Sequence, residues 1–150
     1  MLEDIVMFKK GDKIMSTGAT ITFYEGEQKM VHLYHHWDGY VEGLGYNIAN
    51  WLLNRTVVNG LGLENPEGVC NGVGCLIAQF IRDFKTKAGN LYVEPIDSAD
   101  RDMIDYRYKI VLDPKYGKAD DITTISITYC WKDQEPIFVG KPSELLKFKE

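Results

Sequence analysis

Apolar and polar residues alternate over a short stretch near the start of the chain. Ala19, Ile21 and Phe23 alternate with Thr20, Thr22 and Tyr24, the pattern of a strand with one buried face. Glu25-Gly26-Glu27-Gln28 reads as a turn and Lys29 to Trp37 as a second strand, so the pair predicts a β-hairpin. Beyond Asp38-Gly39 the period changes. Val41, Leu44, Ile48, Trp51 and Leu52 recur at helical spacing and predict a helix over 41–53 with one apolar stripe. Gly43 and Gly45 each cost that helix about 1 kcal/mol relative to Ala. Two glycines in one turn point to a close backbone approach there, or to something meeting the helix start.

Asn54 to Asn71 contains Gly60, Gly62, Pro66 and Gly68 and reads as a long loop, a feature that is often functional in a compact domain. Val73, Leu76, Ile77, Phe80, Ile81 and Phe84 then give the strongest helical pattern in the chain. Asn71 suits its N-cap, Lys85 and Lys87 its last turn, and Gly89 its C′ position.

The second half is β. Leu91 to Pro95 predicts a short edge strand. Ile104 to Leu112 and Ile125 to Trp131 alternate cleanly, with a polar turn over Asp113 to Asp121 between them. Asp133-Gln134-Glu135 turns into a short strand at Pro136 to Val139, and Pro142 opens a terminal helix. Strands and helices segregate, so the fold class is α+β. The expected architecture is an antiparallel sheet of about five to six strands with two helices packed on one face. Its order is ββαα, then three or four strands and a short C-terminal helix. The sheet's polar face is expected to be open to water or to a ligand. Residues 1–15 read as a lead-in and 16–150 as one domain.

Composition narrows the function classes. Hydrophobic residues make up 45% of the 150 and aromatics 12%, which excludes a disordered chain. Seventeen basic residues against twenty-two acidic give a net charge of −5. That balance disfavours a nucleic-acid partner, which needs a basic stripe. Cys70, Cys75 and Cys130 are too few and odd in number for a disulfide framework. No apolar run is long enough for a secretory signal or a membrane span. A cytoplasmic location with free thiols follows.

Candidate chemistry concentrates in Tyr34-His35-His36-Trp37-Asp38-Gly39-Tyr40. On a strand, His35 shares a face with Val31, Leu33 and Trp37, whereas His32, Tyr34 and His36 share the other. His32 and His36 lie roughly 13 Å apart at strand rise, too far to share one Zn²⁺, so no metal or other cofactor is expected. His35 reads as a core histidine and Trp37 as an anchor of the strand-to-helix corner. Tyr34 and His36, on the expected open face, are the better functional candidates. Asp38 suits a helix cap and could instead orient His36 as a general base. Asn71-Gly72-Val73-Gly74-Cys75 opens a helix but lacks a phosphate-binding fingerprint, and no strand is expected directly before it. A tight turn is the favoured reading there. Arg107 shares a polar strand face with Asp105 and Lys109. It suits a phosphate or carboxylate, or a cross-strand neighbour on a solvated face.

The segments Ser16-Thr17-Gly18-Ala19-Thr20-Ile21 and Tyr34-His35-His36-Trp37-Asp38-Gly39-Tyr40-Val41-Glu42-Gly43-Leu44-Gly45 resemble a set of small bacteriophage proteins. Those open with Met-Ser/Thr-x-Arg-Ala-Thr, reach a Tyr-x-His-Trp-Asp-Gly-Tyr hairpin end, and close with Tyr-x-Tyr-x-Ile and Phe-x-Gly. The last two correspond to Tyr106–Ile110 and Phe138–Gly140. The resemblance covers most of 15–146, is strongest at 34–45, and departs at Gly18, where the pattern has Arg. It implies a phage or prophage origin, the host cytosol as location, and a translation start at Met15. It supplies no catalytic residues.

Two function classes follow. The first is a binding protein that sequesters a host small molecule without turnover, with Tyr34, His36, Trp37, Tyr40 and Arg107 as ligand-binding residues. Aromatic stacking plus one Arg suits a nucleotide-derived ligand, and the phage resemblance suggests a host-defence signal. A variant is an inhibitor of a host protein, for which a homodimer or an exposed apolar patch would speak. The second class is a nucleotide or phosphoester hydrolase with His36 as general acid/base, Asp38 orienting it and Arg107 on the phosphate. It requires His36 and Arg107 to converge in one pocket.

Overall fold

A computed structural model describes residues 17–101, 103–131 and 135–150. The lead-in over 1–15, Met15, and Asp133 and Gln134 of the expected turn lie outside the described residues. The fold is α+β, as expected. Its strands are β1 (Ala19–Glu25), β2 (Gln28–His35), β3 (Thr56–Val58), β4 (Val69–Asn71), β5 (Leu91–Glu94), β6 (Tyr106–Leu112), β7 (Gly117–Lys118), β8 (Thr123–Tyr129) and β9 (Phe138–Gly140). Its helices are a π-helical turn (Val41–Gly45) followed by α1 (Tyr46–Leu53), α2 (Val73–Phe84), α3 (Ala119–Ile122) and α4 (Pro142–Leu145). Among the described residues no helix is long and apolar enough to cross a membrane.

Six strands form the main sheet in the order β5-β2-β1-β6-β8-β9. The expected hairpin is present, with Ile21 opposite Leu33 and Ala19 opposite His35. The sheet is mixed rather than purely antiparallel: β1 and β6 pair in parallel, Ala19 beside Tyr106 and Ile21 beside Tyr108. The reason is the return path. From the edge strand β5 the chain crosses β2 and β1 before joining as β6, and it then runs the same way as β1.

Residues at alternate positions of each strand build the core, as the period of two requires. Ile21, Phe23, Leu33, Tyr108, Ile110, Ile125 and Ile127 meet Ile48 and Leu52 of α1 and Leu76 and Phe80 of α2, all buried. Phe23 meets Phe80 edge-on at 4.9 Å, a favoured aromatic geometry.

The long loop and the polar turn hold structure that periodicity did not predict. β3, β4 and β7 form a second sheet in the order β4-β3-β7, with Val57 and Cys70 turned into the core. Asn71 does not cap α2. Its side chain accepts from the Gly60 amide at 2.7 Å and pins the loop. The cap position is Gly72 at φ 90°, left-handed backbone that favours glycine. β4 thus precedes this glycine directly, contrary to expectation. Gly89 does not close the far end of α2. Buried Asn90 does so: its Nδ2 donates to the Phe84 carbonyl at 2.7 Å, and its Oδ1 accepts from the Thr86 and Lys87 amides.

Of the two glycines expected to meet a close backbone, Gly43 does so and Gly45 meets a side chain instead. A Cβ at Gly43 would lie 2.8 Å from the Asp38 carbonyl oxygen, and one at Gly45 would lie 3.2 Å from the Tyr108 hydroxyl. These contacts accompany the π-helical turn at the start of the expected helix.

Candidate functional site

The polar face of the main sheet is not open where the sequence placed its ligand. Tyr92, Tyr34, Thr20, Arg107 and Thr128 form one row across five strands. Thr20 is fully buried and Tyr34 is 8% exposed. The described residues of the β5–β6 connection lie on this row. The Arg101 guanidinium sits 4.0 Å from the Tyr34 ring centroid and pairs with Glu94 at 2.6 Å. Asp100 takes Arg107 at 2.8 Å, so the guanidinium offered to a phosphate already holds a carboxylate. Gly18 packs under the same ring: a Cβ there would lie 3.0 Å from the Tyr34 hydroxyl.

His36 is brought to Tyr34 but not to Arg107. The Tyr34 hydroxyl and His36 Nδ1 share a 2.9 Å hydrogen bond, and burial raises the pKa of the Tyr34 phenol. Asp38 neither caps the helix through its side chain nor bonds His36 among the described residues. It adopts φ 57°, a left-handed conformation that Asp tolerates, and its carbonyl accepts from the Leu44 amide at 2.9 Å. Tyr40 is exposed beside Gly43. Arg107 lines a cleft of about 240 Å³ with Asp100, Arg101, Cys130 and Trp131. His36 lines neither this cleft nor the larger one described next.

The larger cleft holds about 400 Å³ and lies on the helical side of the sheet, within the ~300–1,000 Å³ range of small-molecule sites. Four segments build it. The end of β2 gives His35 and the corner after it Trp37 and Asp38; α1 gives Asn47 and Trp51; α2 gives Asp83 and Phe84; the following turn gives Lys87 and Asn90. The sequence had singled out Trp37 and Asp38. It read His35 as core and did not single out the polar lining residues Asn47, Asp83 and Asn90.

One wall is fixed. Trp51 donates from Nε1 to Asp83 Oδ2 at 2.9 Å and carries the Arg55 guanidinium 4.0 Å from its ring centroid. Arg55, 9% exposed, is itself paired with Asp83 at 2.9 Å. Hydrogen bonds from Arg82 first, and then from Trp51, hold the Asp83 carboxyl well below the usual carboxylate range. The Trp37 wall is half-buried, with His36 edge-on at 4.9 Å and the Lys87 ammonium 5.5 Å from its ring centroid. Burial lowers the pKa of His35, so this ring is neutral at neutral pH.

No described group of three His, Cys, Asp or Glu residues is arranged to hold a metal ion. Burial pushes the Cys70 thiol up to about 11 and raises that of Cys130, which leaves neither as a thiolate at neutral pH. Compared with protein-family models, curated proteins and solved structures, the chain has no match in any of the three.

Proposed function

We propose that this protein captures a small molecule with a planar aromatic ring in the Trp37–Trp51 cleft and holds it without chemical turnover. The observation that carries this reading is the cleft itself, a volume of ligand size with two indoles and Phe84 in its lining. Trp51 is locked by Asp83 and Arg55, so little side-chain entropy remains to be lost on binding. Lys87 beside Trp37 offers a cation to a phosphate or carboxylate on the ligand. A nucleotide-derived molecule combines both features, and a host-defence signal of that class suits the phage resemblance.

Calorimetric titration with a panel of nucleotides tests the reading. Stacking on an aromatic side chain is worth about 1–3 kcal/mol per base, so Trp37→Ala should weaken binding by roughly 5- to 150-fold. Binding by no member, or equal binding by the variant, overturns it. The hydrolase alternative predicts instead that His36→Ala abolishes turnover of a nucleotide in the same panel. Its requirement of one pocket for His36 and Arg107 has no support in the two clefts described.

A further inference from the structure

Among the described residues, five buried side-chain atoms lack a hydrogen-bond partner: Thr20 Oγ1, His32 Nε2, His35 Nδ1, Arg55 Nε and Thr123 Oγ1. Such atoms are uncommon and each calls for an explanation. Of the five residues, His35 alone lines either cleft. It is 9% exposed and sits at the end of β2, paired with Ala19 across the hairpin, and the nearby Trp37 backbone makes no hydrogen bond to its Nδ1. The buried amide of the cleft, Asn90, is spent on the turn after α2. The Asp83 carboxylate is likewise occupied by Arg55, Arg82 and Trp51. Asn47 is exposed, and its amide makes no hydrogen bond among the described residues. Alongside the Asp38, Thr86 and Lys87 side chains, the cleft therefore holds an imidazole and an amide with unspent capacity between aromatic walls. Each can both donate and accept.

Resting on the proposed capture of a planar ring, we infer that His35 and Asn47 read the hydrogen-bonding edge of that ring. The ligand is then a nucleobase or a similar nitrogen heterocycle with adjacent donor and acceptor atoms, rather than a purely apolar aromatic. A ligand edge that satisfies buried His35 removes an unmade hydrogen bond. An apolar ring of the same shape leaves that bond unmade. Discrimination by a site built for hydrogen bonding exceeds what an apolar pocket achieves by shape alone. His35 is a specificity residue in this scheme, and Trp37 supplies affinity without regard to the edge.

The test compares the four ribonucleosides with a nucleoside analogue in which naphthalene replaces the base, by calorimetry on the full chain. At least one natural nucleoside should bind about tenfold or more tightly than the analogue. His35→Phe should remove that preference and keep the analogue's affinity, and Asn47→Leu should reduce the preference. His35→Gln, which keeps a donor and an acceptor, should retain part of it and carries the test if the Phe variant does not fold. Equal affinity for nucleosides and analogue overturns the inference, as does a preference untouched by both His35→Gln and Asn47→Leu when His35→Phe is unfolded, or by His35→Phe when it is folded. In those cases a loss of all binding in Trp37→Ala leaves the capture reading standing. Absence of binding by every probe overturns both.

Discussion

The Tyr108 hydroxyl donates a 2.7 Å hydrogen bond to the carbonyl of Gly39 inside the core. The bond ties the central strand β6 to the corner where β2 turns toward the helices. Gly39 is held from its other side as well: its amide donates to the Thr17 carbonyl at 2.9 Å. Tyr108→Phe keeps the ring and leaves a buried carbonyl unmatched, so it should destabilise by about 1–3 kcal/mol. Gly39→Ala places a Cβ 2.8 Å from the Thr17 carbonyl oxygen and 2.9 Å from the Ala19 Cβ, and should cost about as much through overpacking. Urea midpoints within the error of the parent for both variants would show that this corner does not constrain the fold.

Glycines elsewhere should respond in opposite directions. Gly74 lies in the first turn of α2, exposed, with nothing within 4 Å of an added Cβ. Gly74→Ala should stabilise by about 0.5–1 kcal/mol through helix propensity and a less flexible unfolded chain. Gly68 has φ 93°, and a Cβ there would fall 2.4 Å from the Asn54 carbonyl oxygen. Gly68→Ala should therefore lower stability by more than about 1 kcal/mol. Thermal melts of the pair decide the matter: shifts of the same sign would refute the assignment.

Asp83 holds Arg55, and removing it leaves a buried guanidinium with no counter-charge. Breaking a fully buried pair costs about 3–5 kcal/mol, but Asp83 is 32% exposed, which screens the pair. Asp83→Ala should destabilise by about 2 kcal/mol and shift Trp51 emission as its indole loses an acceptor. Arg82 pairs with the same carboxylate but is 62% exposed, so Arg82→Ala should cost far less than Asp83→Ala. Equal losses in the two variants would mean that the buried pair is not the stabilising one.

The strands that the sequence announced are those with one buried and one polar face. β1, β6 and β8 alternate because Ile21, Tyr108 and Ile127 face helices while Thr22, Lys109 and Ser126 do not. β3, β4 and β7 are three, three and two residues long. Strands so short complete no alternation, and only long-range pairing such as Thr56 with Val69 and Lys118 reveals them. The parallel β1–β6 pairing depends on the return path of the chain, which local periodicity does not encode. The same limit governs the site. Tyr34 and His36 meet because they are two positions apart, one near the end of β2 and one just past it. Arg107 stays apart because β1 intervenes, and the β5–β6 connection covers the face they were expected to share. His35, Asn47, Trp51 and Lys87 converge from segments up to 52 residues apart. Trp51 already satisfied an apolar helical stripe, so nothing local marked it as a wall of a cleft.

His32 and His35 make stability depend on pH near neutrality. Burial is the first cause of the lowered pKa of each ring. Lys29 adds to it at His32 against Asp100 and Glu94, and His36 adds to it at His35 against the Trp37 backbone and Asp38. Each folded-state pKa lies below the ordinary 6.5, so the unfolded chain binds more protons as pH falls through that value. Stability from keeping these rings neutral is fully present above pH 6.5 and declines as pH falls toward the folded-state values. The slope approaches at most about 1.4 kcal/mol per pH unit for each ring. Urea unfolding between pH 7.5 and 5 should show the midpoint falling with acidity. His32→Gln and His35→Gln should each flatten part of that fall, because Gln takes up no proton in this range. A midpoint constant down to pH 5 would mean that both rings are protonated as readily in the folded chain as in the unfolded one. That would remove the basis for a neutral His35 in the cleft.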